Sequence, residues 1–283
     1  MELTRKYELK TYNANECCIF RKTKEIFGGL SNMASGFPLK VNSIYILSAE
    51  ALYQACRFPH FPDLQEKIIL EKSPMSAKMV GKPFRTNSRP DWDEKRIIIM
   101  RWVLKVKLAQ NFIEFGKLLE STFNKPIVED SSKDDFWGAI RNRYDENILK
   151  GTNALGRLLM DLRKFYNENR YSYEMFVVEP LDIPDFKLYG RLIETIDERE
   201  KFILDIKNST RFIEIEEYKS WKHLDDDSKV AEKTQSFIKE SEQPNKKLKK
   251  DNKKNKQTKT RKKKIKNKVQ GQTIQNTLPF IKG

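Results

Sequence analysis

The sequence predicts a mainly α-helical domain with a small β component, followed by a basic tail. Three observations lead to this class. Several segments have helical periodicity or helix start signals, and only short stretches have the alternating pattern of a strand. Most of the excess positive charge lies near one end of the chain. The hydrophobic fraction of 38% is high enough for a packed core outside that tail.

Two strands, a loop and three helices are predicted before residue 90. They are the strands Cys17–Phe20 and Val41–Leu47, the Gly-rich loop Phe27–Phe37, and helices that begin at Ser48, run from Pro62 to Lys72, and begin at Ser73. Ser48 and Ser73 are of a residue type that caps helix N-termini, and Pro74 suits the first helical position. The β component is therefore expected to be minor.

The clearest predicted element is a central helix, Asp91–Asn111. Asp91 and Glu94 form a capping-box pattern, and apolar residues continue beyond one face, which predicts a largely buried helix. The later predicted elements are helical segments over Asn111–Ser121 and Ala154–Tyr166, a strand over Tyr173–Glu179 and a charged helical region over Asp185–Trp221. The predicted domains are 1–170 as the catalytic domain, 171–223 as a helical and β extension, and 224–283 as a disordered tail.

The net charge of +15 comes almost entirely from one segment of the tail. Residues 245–270 contain 14 Lys or Arg and one acidic residue, a net charge of +13, which leaves +2 for the rest of the chain. Such a polycation either binds nucleic acid or serves as a localisation signal or solubilising extension. The body of the protein is expected to be nearly neutral.

The composition also restricts location and metal binding. Cys17, Cys18 and Cys56 form no even set, which favours a reduced, intracellular protein. No apolar run approaches the roughly 20 residues of a membrane span, and the first ten residues do not resemble a signal peptide. We expect a cytoplasmic protein, or a nuclear one in a host with a nucleus. His60 and His223 are too few for a His-rich metal site, so no metal and no cofactor are expected.

The helix that begins at Ser48 has two distinct faces. Apolar Ala49, Leu52 and Cys56 form one, and Glu50, Gln54 and Arg57 form a polar line at helical spacing. A polar line of this kind is either a solvated surface or the wall of a binding site. A second ambiguous stretch, Gly151–Arg157, has two glycines before a helix, which indicates either a plain turn or an anion site at a helix N-terminus.

Six short motifs occur in an order that resembles the NADAR family, also called YbiA-like. They are "GLSNM" (29–33), "SAEALYQACRF" (48–58), "SPMSAKM" (73–79), "DWDEKRIIIMRWVLKVKLAQN" (91–111), "IVEDSSKDDFWGA" (127–139) and "GTNALGRLLMDLR" (151–163). The match covers about Phe27–Phe165. The resemblance implies a compact YbiA-like helical domain. Within the family, "GGLSNMASGFPL" and "EALYQACRFPH" resemble the branch paired with DNA-modifying ADP-ribosyltransferase toxins.

The resemblance implies an N-glycosidase that removes ADP-ribose from a nucleobase, guanine in DNA, in the manner of an antitoxin. Its expected partners are ADP-ribosylated DNA and a cognate ADP-ribosyltransferase toxin, with no membrane. Two alternatives stay open: an N-glycosidase for riboflavin biosynthesis intermediates, and a non-catalytic module that binds ADP-ribose or nucleic acid. The basic tail favours a polyphosphate substrate over a small metabolite. Arg57 replaces a Lys of many members and, being always protonated, is no nucleophile.

Hydrolysis of an N-glycosyl bond requires a carboxylate near the sugar and an acid near the leaving nitrogen, because the sugar gains oxocarbenium character. The first candidate carboxylate is Glu50, and the second is Asp135 with its neighbour Asp134. Lys78 and Lys107 are the candidate amines, able to attack an opened sugar aldehyde if burial lowers their pKa. The alternative for each lysine is a solvated helix surface.

The predicted substrate-binding residues are polar, aromatic or glycine. They are Asn32, Gln54, Arg57, Trp137, Gly138, Asn153 and Gly156. Asn32 and Asn153 suit ribose hydroxyls, and Arg57 suits a phosphate or ribose oxygen. Trp137 is expected to stack on a base, with a position in the core as its alternative.

Overall fold

The computed structural model describes residues 7–170 and 172–208, all within one compact unit, Met1–Asp226. In these residues the helices are α1 (Ala49–Cys56), α2 (Pro62–Ile69), α3 (Pro74–Gly81), α4 (Trp92–Gln110), α5 (Phe112–Glu120), α6 (Ala154–Asn169), α7 (Tyr173–Phe176) and α8 (Arg199–Asn208). The strands are β1 (Lys10–Asn13), β2 (Cys18–Phe20), β3 (Leu39–Val41), β4 (Ile44–Ile46), β5 (Ile127–Ser131), β6 (Ala139–Arg141), β7 (Ile148–Gly151), β8 (Val177–Val178), β9 (Lys187–Leu188), β10 (Arg191–Leu192) and β11 (Ile196–Asp197). Short 3-10 segments cover Ala14–Glu16, Gly28–Leu30 and Lys82–Asn87.

A five-stranded mixed sheet has the strand order β1-β7-β6-β5-β2. The interior strand β5 pairs in parallel with both β2 and β6, while β7 pairs antiparallel with β6 and β1. Cys18 lies opposite Ile127, and Lys10 lies opposite Gly151, so the sheet joins segments far apart in sequence. Helix α6 packs against β5, and α4 contacts α1, α5 and α6. The chain is therefore an α+β domain.

The predicted mainly α-helical class is wrong for this reason. The sequence pattern revealed β2 but not β1, β5, β6 or β7, which contain three to five residues each. Strands of this length have little alternation to detect, and they are stabilised by partners that the local sequence does not contain. The sheet thus depends on pairing across most of the domain.

Two predicted helix starts are confirmed. The Ser48 hydroxyl accepts the Ala51 N–H at 3.2 Å, and the Ser73 hydroxyl accepts the Ser76 N–H at 3.4 Å. The central helix α4 is also confirmed, with most of its second half buried. Its predicted capping box is not formed, because the Asp91 carboxylate binds the Arg89 guanidinium at 2.5 Å instead.

Three other predictions of secondary structure are wrong in part. Val41–Leu47 is not one strand: β3 and β4 form a hairpin whose turn residues, Asn42 and Ser43, have φ values of 49° and 66°. The region Asp185–Trp221 contains β9, β10 and β11 before α8 begins, and its residues after Asn208 lie outside the described residues. The predicted strand over Tyr173–Glu179 is helix α7 followed by the two-residue β8.

Residues 172–203 pack against the same hydrophobic core as the rest of the domain. Phe176, Phe186, Leu188, Ile193 and Phe202 all belong to the buried cluster that includes α4. The Trp102 indole N–H donates to the Glu179 carbonyl at 2.9 Å. The predicted extension therefore shares a core with the predicted catalytic domain. The basic tail, residues 224–283, lies outside the described residues.

Candidate active site

A buried carboxylate, Glu50, lies in the first turn of α1, with 3% of its surface exposed. One of its oxygens accepts a hydrogen bond from Asn32 Nδ2, and the other accepts one from Gln54 Nε2 at 2.9 Å. Burial raises the pKa of Glu50, while the charge of Lys78 and the Gln54 hydrogen bond lower it. Glu50 and Gln54 of the polar line are thus buried and hydrogen-bonded to each other, while Arg57 at the end of α1 is partly exposed.

A second carboxylate, Glu129 on β5, belongs to the same site and was not predicted. Burial, together with the negative charges of Asp134 and Glu50, raises the pKa of Glu129 to about 7, while Lys78 lowers it. We call Glu50, Lys78, Glu129 and Asp134 the carboxylate cluster. The acidic residue in "IVED", directly before the "DDFWG" loop, was the available sequence signal.

Of the two neighbouring aspartates, the structure brings Asp134 and not Asp135 to the cluster. Asp134 Oδ1 accepts the N–H groups of Phe136 at 3.1 Å and Trp137 at 2.8 Å, which fixes the turn after β5. Its charge raises the pKa of both Glu50 and Glu129. The Asp135 side chain is exposed, and its backbone carbonyl accepts the Thr152 N–H at 2.6 Å. Of the two predicted candidates, Asp134 therefore lies at the cluster and Asp135 does not.

Aromatic side chains form one wall beside the cluster. The Tyr53 ring lies 5.7 Å from Trp137 and 5.1 Å from Trp92 between ring centroids. Trp137 is half-buried, and it also contacts Phe136 edge-on at 5.2 Å. Burial and the nearby charge of Glu50 raise the pKa of Tyr53, which keeps its hydroxyl protonated. Trp137 thus combines contact with the core and an exposed part.

Two arginines lie over this aromatic wall. The Arg57 guanidinium carbon is 4.8 Å from the Trp92 ring centroid, and the Arg96 guanidinium carbon is 3.9 Å from that of Phe136. Arg57 Nε donates to the neutral Ser88 hydroxyl at 2.6 Å. Burial lowers the pKa of Arg57, and the nearby Arg85 lowers it further. Stacking on rings holds both guanidinium groups in fixed positions.

The second candidate amine, Lys107, hydrogen-bonds to a loop and not to the carboxylates. It is fully buried, and its Nζ donates to the carbonyls of Gly29 at 2.7 Å and Ser31 at 3.1 Å. The same Nζ lies 4.5 Å and 4.2 Å from the rings of Phe37 and Phe115. Lys107 thus holds the loop that precedes Asn32. Burial lowers its pKa to about 7.

The free energy of unfolding of the wild type is expected to rise with pH because of Lys107, and we expect Lys107→Met to abolish this rise. Because the folded-state pKa of Lys107 lies below its ordinary value of 10.5, the unfolded chain binds more protons between about pH 7 and 10.5. The free energy of unfolding of the wild type should therefore increase across that window by up to a few kcal/mol, and that of the variant should not. Urea unfolding at several pH values measures this. Lys117→Met, at a half-exposed position, is the control, and its free energy of unfolding should still rise with pH. If the free energy of unfolding of Lys107→Met also rises with pH, the lowered pKa of Lys107 is not its cause.

Asn153 and Gly156 have a positioning role that differs from the predicted substrate contacts. Asn153 is fully buried, has φ of 52°, donates to the Ile127 carbonyl at 2.8 Å and accepts the Glu129 N–H at 3.1 Å. A Cβ atom at Gly156 would lie 2.2 Å from the Ile127 carbonyl oxygen. Close packing of α6 on β5 therefore requires glycine there, and Asn153 holds the backbone of Glu129.

The predicted phosphate site at the start of α6 is already occupied by protein carbonyls. The N–H groups of residues 152–155 donate to the carbonyls of residues 135, 138, 136 and 137 respectively, at 2.6–3.0 Å. Gly138 lies within this contact, and a Cβ there would be 2.6 Å from the Glu129 carbonyl oxygen. These N–H groups therefore fix the loop that carries Asp134 and Trp137 and are not available to a phosphate.

Within 7–170 and 172–208, no three His, Cys, Asp or Glu side chains group as they would around a metal ion. None of the helices in these ranges has the length and hydropathy needed to cross a bilayer.

The fold and the cluster define a class: an α+β domain with two buried carboxylates, a neighbouring lysine and an aromatic wall. A pair of carboxyl groups is what most enzymes that hydrolyse glycosyl bonds use. Residues 19–166 match the family model of the NADAR domain. The chain belongs to the NADAR family.

Relatives within the family agree with this chemistry. The chain is 32% identical to N-glycosidase YbiA of Escherichia coli (strain K12) over 145 residues, which are 51% of this chain and 85% of that protein. It is 28% identical to a riboflavin biosynthesis protein of Vibrio vulnificus over 190 residues, 65% of this chain and 49% of that protein. The NMR structure of E. coli YbiA has 29% identity and a TM-score of 0.46, over 54% of this chain and 85% of that one. The prediction of a hydrolase that acts on N-glycosyl bonds is confirmed by these family members.

Proposed function

We propose that this NADAR domain hydrolyses the N-glycosyl bond between ADP-ribose and a nucleobase, guanine in DNA. In this proposal the substrate is made by a cognate ADP-ribosyltransferase toxin, and the protein acts as an antitoxin in the cytoplasm, or in the nucleus of a host that has one. The observation that supports it most is the presence of two buried carboxyl groups, Glu50 and Glu129, beside one lysine: the pKa of both is raised, and the charge of Glu50 contributes to the raised pKa of Glu129.

The two carboxyl groups suit different roles. Glu50 accepts N–H groups from Asn32 and Gln54, and Lys78 lies near it, so its charged form is favoured over that of an isolated buried acid. It stabilises the positive charge that develops on the sugar and orients the attacking water. Glu129, with a pKa of about 7, is partly protonated at neutral pH and serves as the acid.

The proposed reaction breaks one bond and forms one. The bond from the anomeric carbon to the base nitrogen breaks, its electron pair leaves with the nitrogen, and Glu129 supplies the proton. Water then adds to the anomeric carbon and loses its proton to the carboxylates. Lys78 acts as an ammonium group that keeps Glu50 charged; a borohydride-trapped adduct on Lys78 would instead indicate a covalent route. We assign Lys107 and Asn153 as positioning residues for Asn32 and Glu129.

The remaining wall suits the diphosphate of ADP-ribose and a base. Arg57 and Arg96 carry guanidinium groups stacked on aromatic rings, a geometry that suits phosphate oxygens. Two guanidinium groups match a diphosphate better than a single phosphate. The exposed part of Trp137, beside Tyr53, suits stacking on a base. These contacts are what favour ADP-ribose over a smaller phosphoribosyl compound.

A riboflavin biosynthesis intermediate is the second candidate, favoured by the Vibrio vulnificus relative. Purified protein should be incubated separately with an oligonucleotide that carries ADP-ribosylated guanine and with a phosphoribosylamino pyrimidine, and products identified by mass spectrometry. Release of ADP-ribose from the oligonucleotide is expected. Cleavage of the pyrimidine alone would replace the proposal, and tight binding without cleavage of either would indicate a non-catalytic module.

We expect kcat/KM to fall as pH rises through about 7. The acid Glu129 has a folded pKa raised from 4.5 to about 7, so it holds its proton below that pH and loses it above. Glu129→Gln should lower kcat and abolish this dependence. A pH–rate profile of the two proteins measures it, with Glu146→Gln, an exposed glutamate between β6 and β7, as control. An unchanged alkaline limb in Glu129→Gln would assign the acid to another group.

A further inference from the structure

We propose that an exposed surface beside the active site binds the single-stranded nucleic acid that flanks the modified base. We call this surface the rim; it consists of Met75, Met79, Lys82, Phe84 and Arg85, on α3 and on the 3-10 segment Lys82–Asn87. The inference rests on the proposed function, because it supplies a contact that only a polynucleotide substrate would use.

The rim is apolar and exposed to an unusual degree for so short a segment. Met75, Met79 and Phe84 are 58%, 50% and 45% exposed. Ala77 and Gly81 form the buried face of α3, so Met75, Met79 and Lys82, at positions i, i+4 and i+7, lie on the opposite face. Three large apolar side chains within ten residues, exposed together, indicate a binding surface rather than scattered surface residues.

The positive charge of this segment indicates that its partner is negatively charged. Residues 72–90 contain five basic residues and no acidic one, although the body of the protein is nearly neutral. Lys82 and Arg85 are both exposed. Aromatic and apolar side chains interleaved with cations match bases that stack and phosphates that need counter-charge. A helix of eight residues, about 12 Å long, is also small for a standard protein–protein interface.

The rim is continuous with the carboxylate cluster on one flank and with the arginines on the other. Lys78, one residue before Met79, lies near enough to Glu50 and Glu129 to lower the pKa of both. At the other end, the Ser88 hydroxyl accepts from Arg57 Nε and donates to the Arg85 carbonyl at 2.5 Å. A strand whose modified base enters the site would therefore pass over the rim.

The test compares two substrates and two double variants of the full chain. Lys82→Ser with Phe84→Ser alters the rim. Arg143→Ser with Tyr144→Ser is the matched control, because this pair is exposed in the turn between β6 and β7, at the opposite end of these strands from Gly138 and Gly151. The substrates are a single-stranded oligonucleotide with ADP-ribosylated guanine and the corresponding modified mononucleoside. Both variants keep the basic tail, so any contribution of the tail to substrate binding is the same in the two proteins.

The rim variant should raise KM for the oligonucleotide about tenfold and flatten its salt dependence, with kcat/KM for the mononucleoside unchanged. The control should match the wild type on both. If the rim variant loses kcat/KM equally on both substrates, or does not lose it on the oligonucleotide, the proposal that the rim binds nucleic acid is wrong.

If the wild type cleaves neither substrate, the proposed function fails. The rim is then tested by measuring the binding of unmodified oligonucleotide in fluorescence anisotropy. Binding to anionic vesicles, lost in the rim variant while oligonucleotide binding is kept, would assign the surface to membranes and reject the inference.

Discussion

Glu50→Gln is expected to lower kcat by about 10²–10³-fold while the protein stays folded. The substitution removes a negative charge from the site where positive charge develops in the transition state, and one preorganised electrostatic contact is typically worth that much. It preserves the volume of a side chain that is 3% exposed, in the first turn of a short helix whose residues are all buried. The amides of Asn32 and Gln54 can turn to satisfy the new amide, so the loss should appear in the rate and not in the melting temperature.

The matched control for this prediction is Glu114→Gln on α5. Glu114 is 79% exposed at its side chain and pairs only loosely with Lys117, so both turnover and melting temperature should equal those of the wild type. Steady-state hydrolysis and thermal unfolding of the three proteins separate the possibilities. If Glu50→Gln turns over substrate at the wild-type rate, Glu50 has no catalytic role. A large drop in its melting temperature would make its role structural.

Truncation after Arg170 is expected to abolish folding, although it keeps all of residues 19–166 that match the NADAR family. The truncated chain lacks five side chains that are buried in the same core as α4: Phe176, Phe186, Leu188, Ile193 and Phe202. Burying each contributes about 1.5–3 kcal/mol. Their combined loss, roughly 7–15 kcal/mol, equals the whole stability of a typical domain, about 5–15 kcal/mol.

The truncation also leaves buried polar groups without partners. Gln65 Oε1 would lose the Tyr189 N–H that it accepts at 2.8 Å, and the Trp102 indole would lose the Glu179 carbonyl, whereas Gln65 Nε2 would keep the Ala55 carbonyl at 3.0 Å. Unpaired buried groups of this kind cost about 1–3 kcal/mol each. The domain and the segment 172–203 are therefore expected to fold as one cooperative unit.

Removal of the chain from Pro244 onward is the control for this truncation. That segment has almost no apolar residues to pack, so the shortened protein should melt at the wild-type temperature. Circular dichroism and differential scanning calorimetry of both truncations provide the measurement. A cooperative transition in the chain that ends at Arg170, within a few degrees of the wild type, would show that residues after 170 form a separate unit after all.

The local sequence was sufficient for features that depend on neighbouring residues. The helix starts at Ser48 and Ser73, the buried central helix α4 and the placement of Glu50 and Gln54 on one side of α1 all follow from caps and periodicity. The family was recognisable from the order of six motifs, and Asn32 and Glu50, from two of them, do form a hydrogen bond. These features involve residues within a few turns of each other or motifs long enough to be specific.

The sequence by itself determined the family and the N-glycosidase chemistry of this protein, and it predicted Glu50 as the first carboxylate. Only the tertiary structure decided which groups join Glu50. The sheet brings Glu129 on β5 to the cluster, the turn after β5 selects Asp134 over Asp135, and Lys107 bonds to the loop before Asn32. Glu129 lies 79 residues from Glu50, and Lys107 lies 78 residues from Gly29, so both contacts depend on the pairing and packing of segments far apart in sequence. Helical periodicity carries no information about such pairing, which is why the α+β class was missed as well.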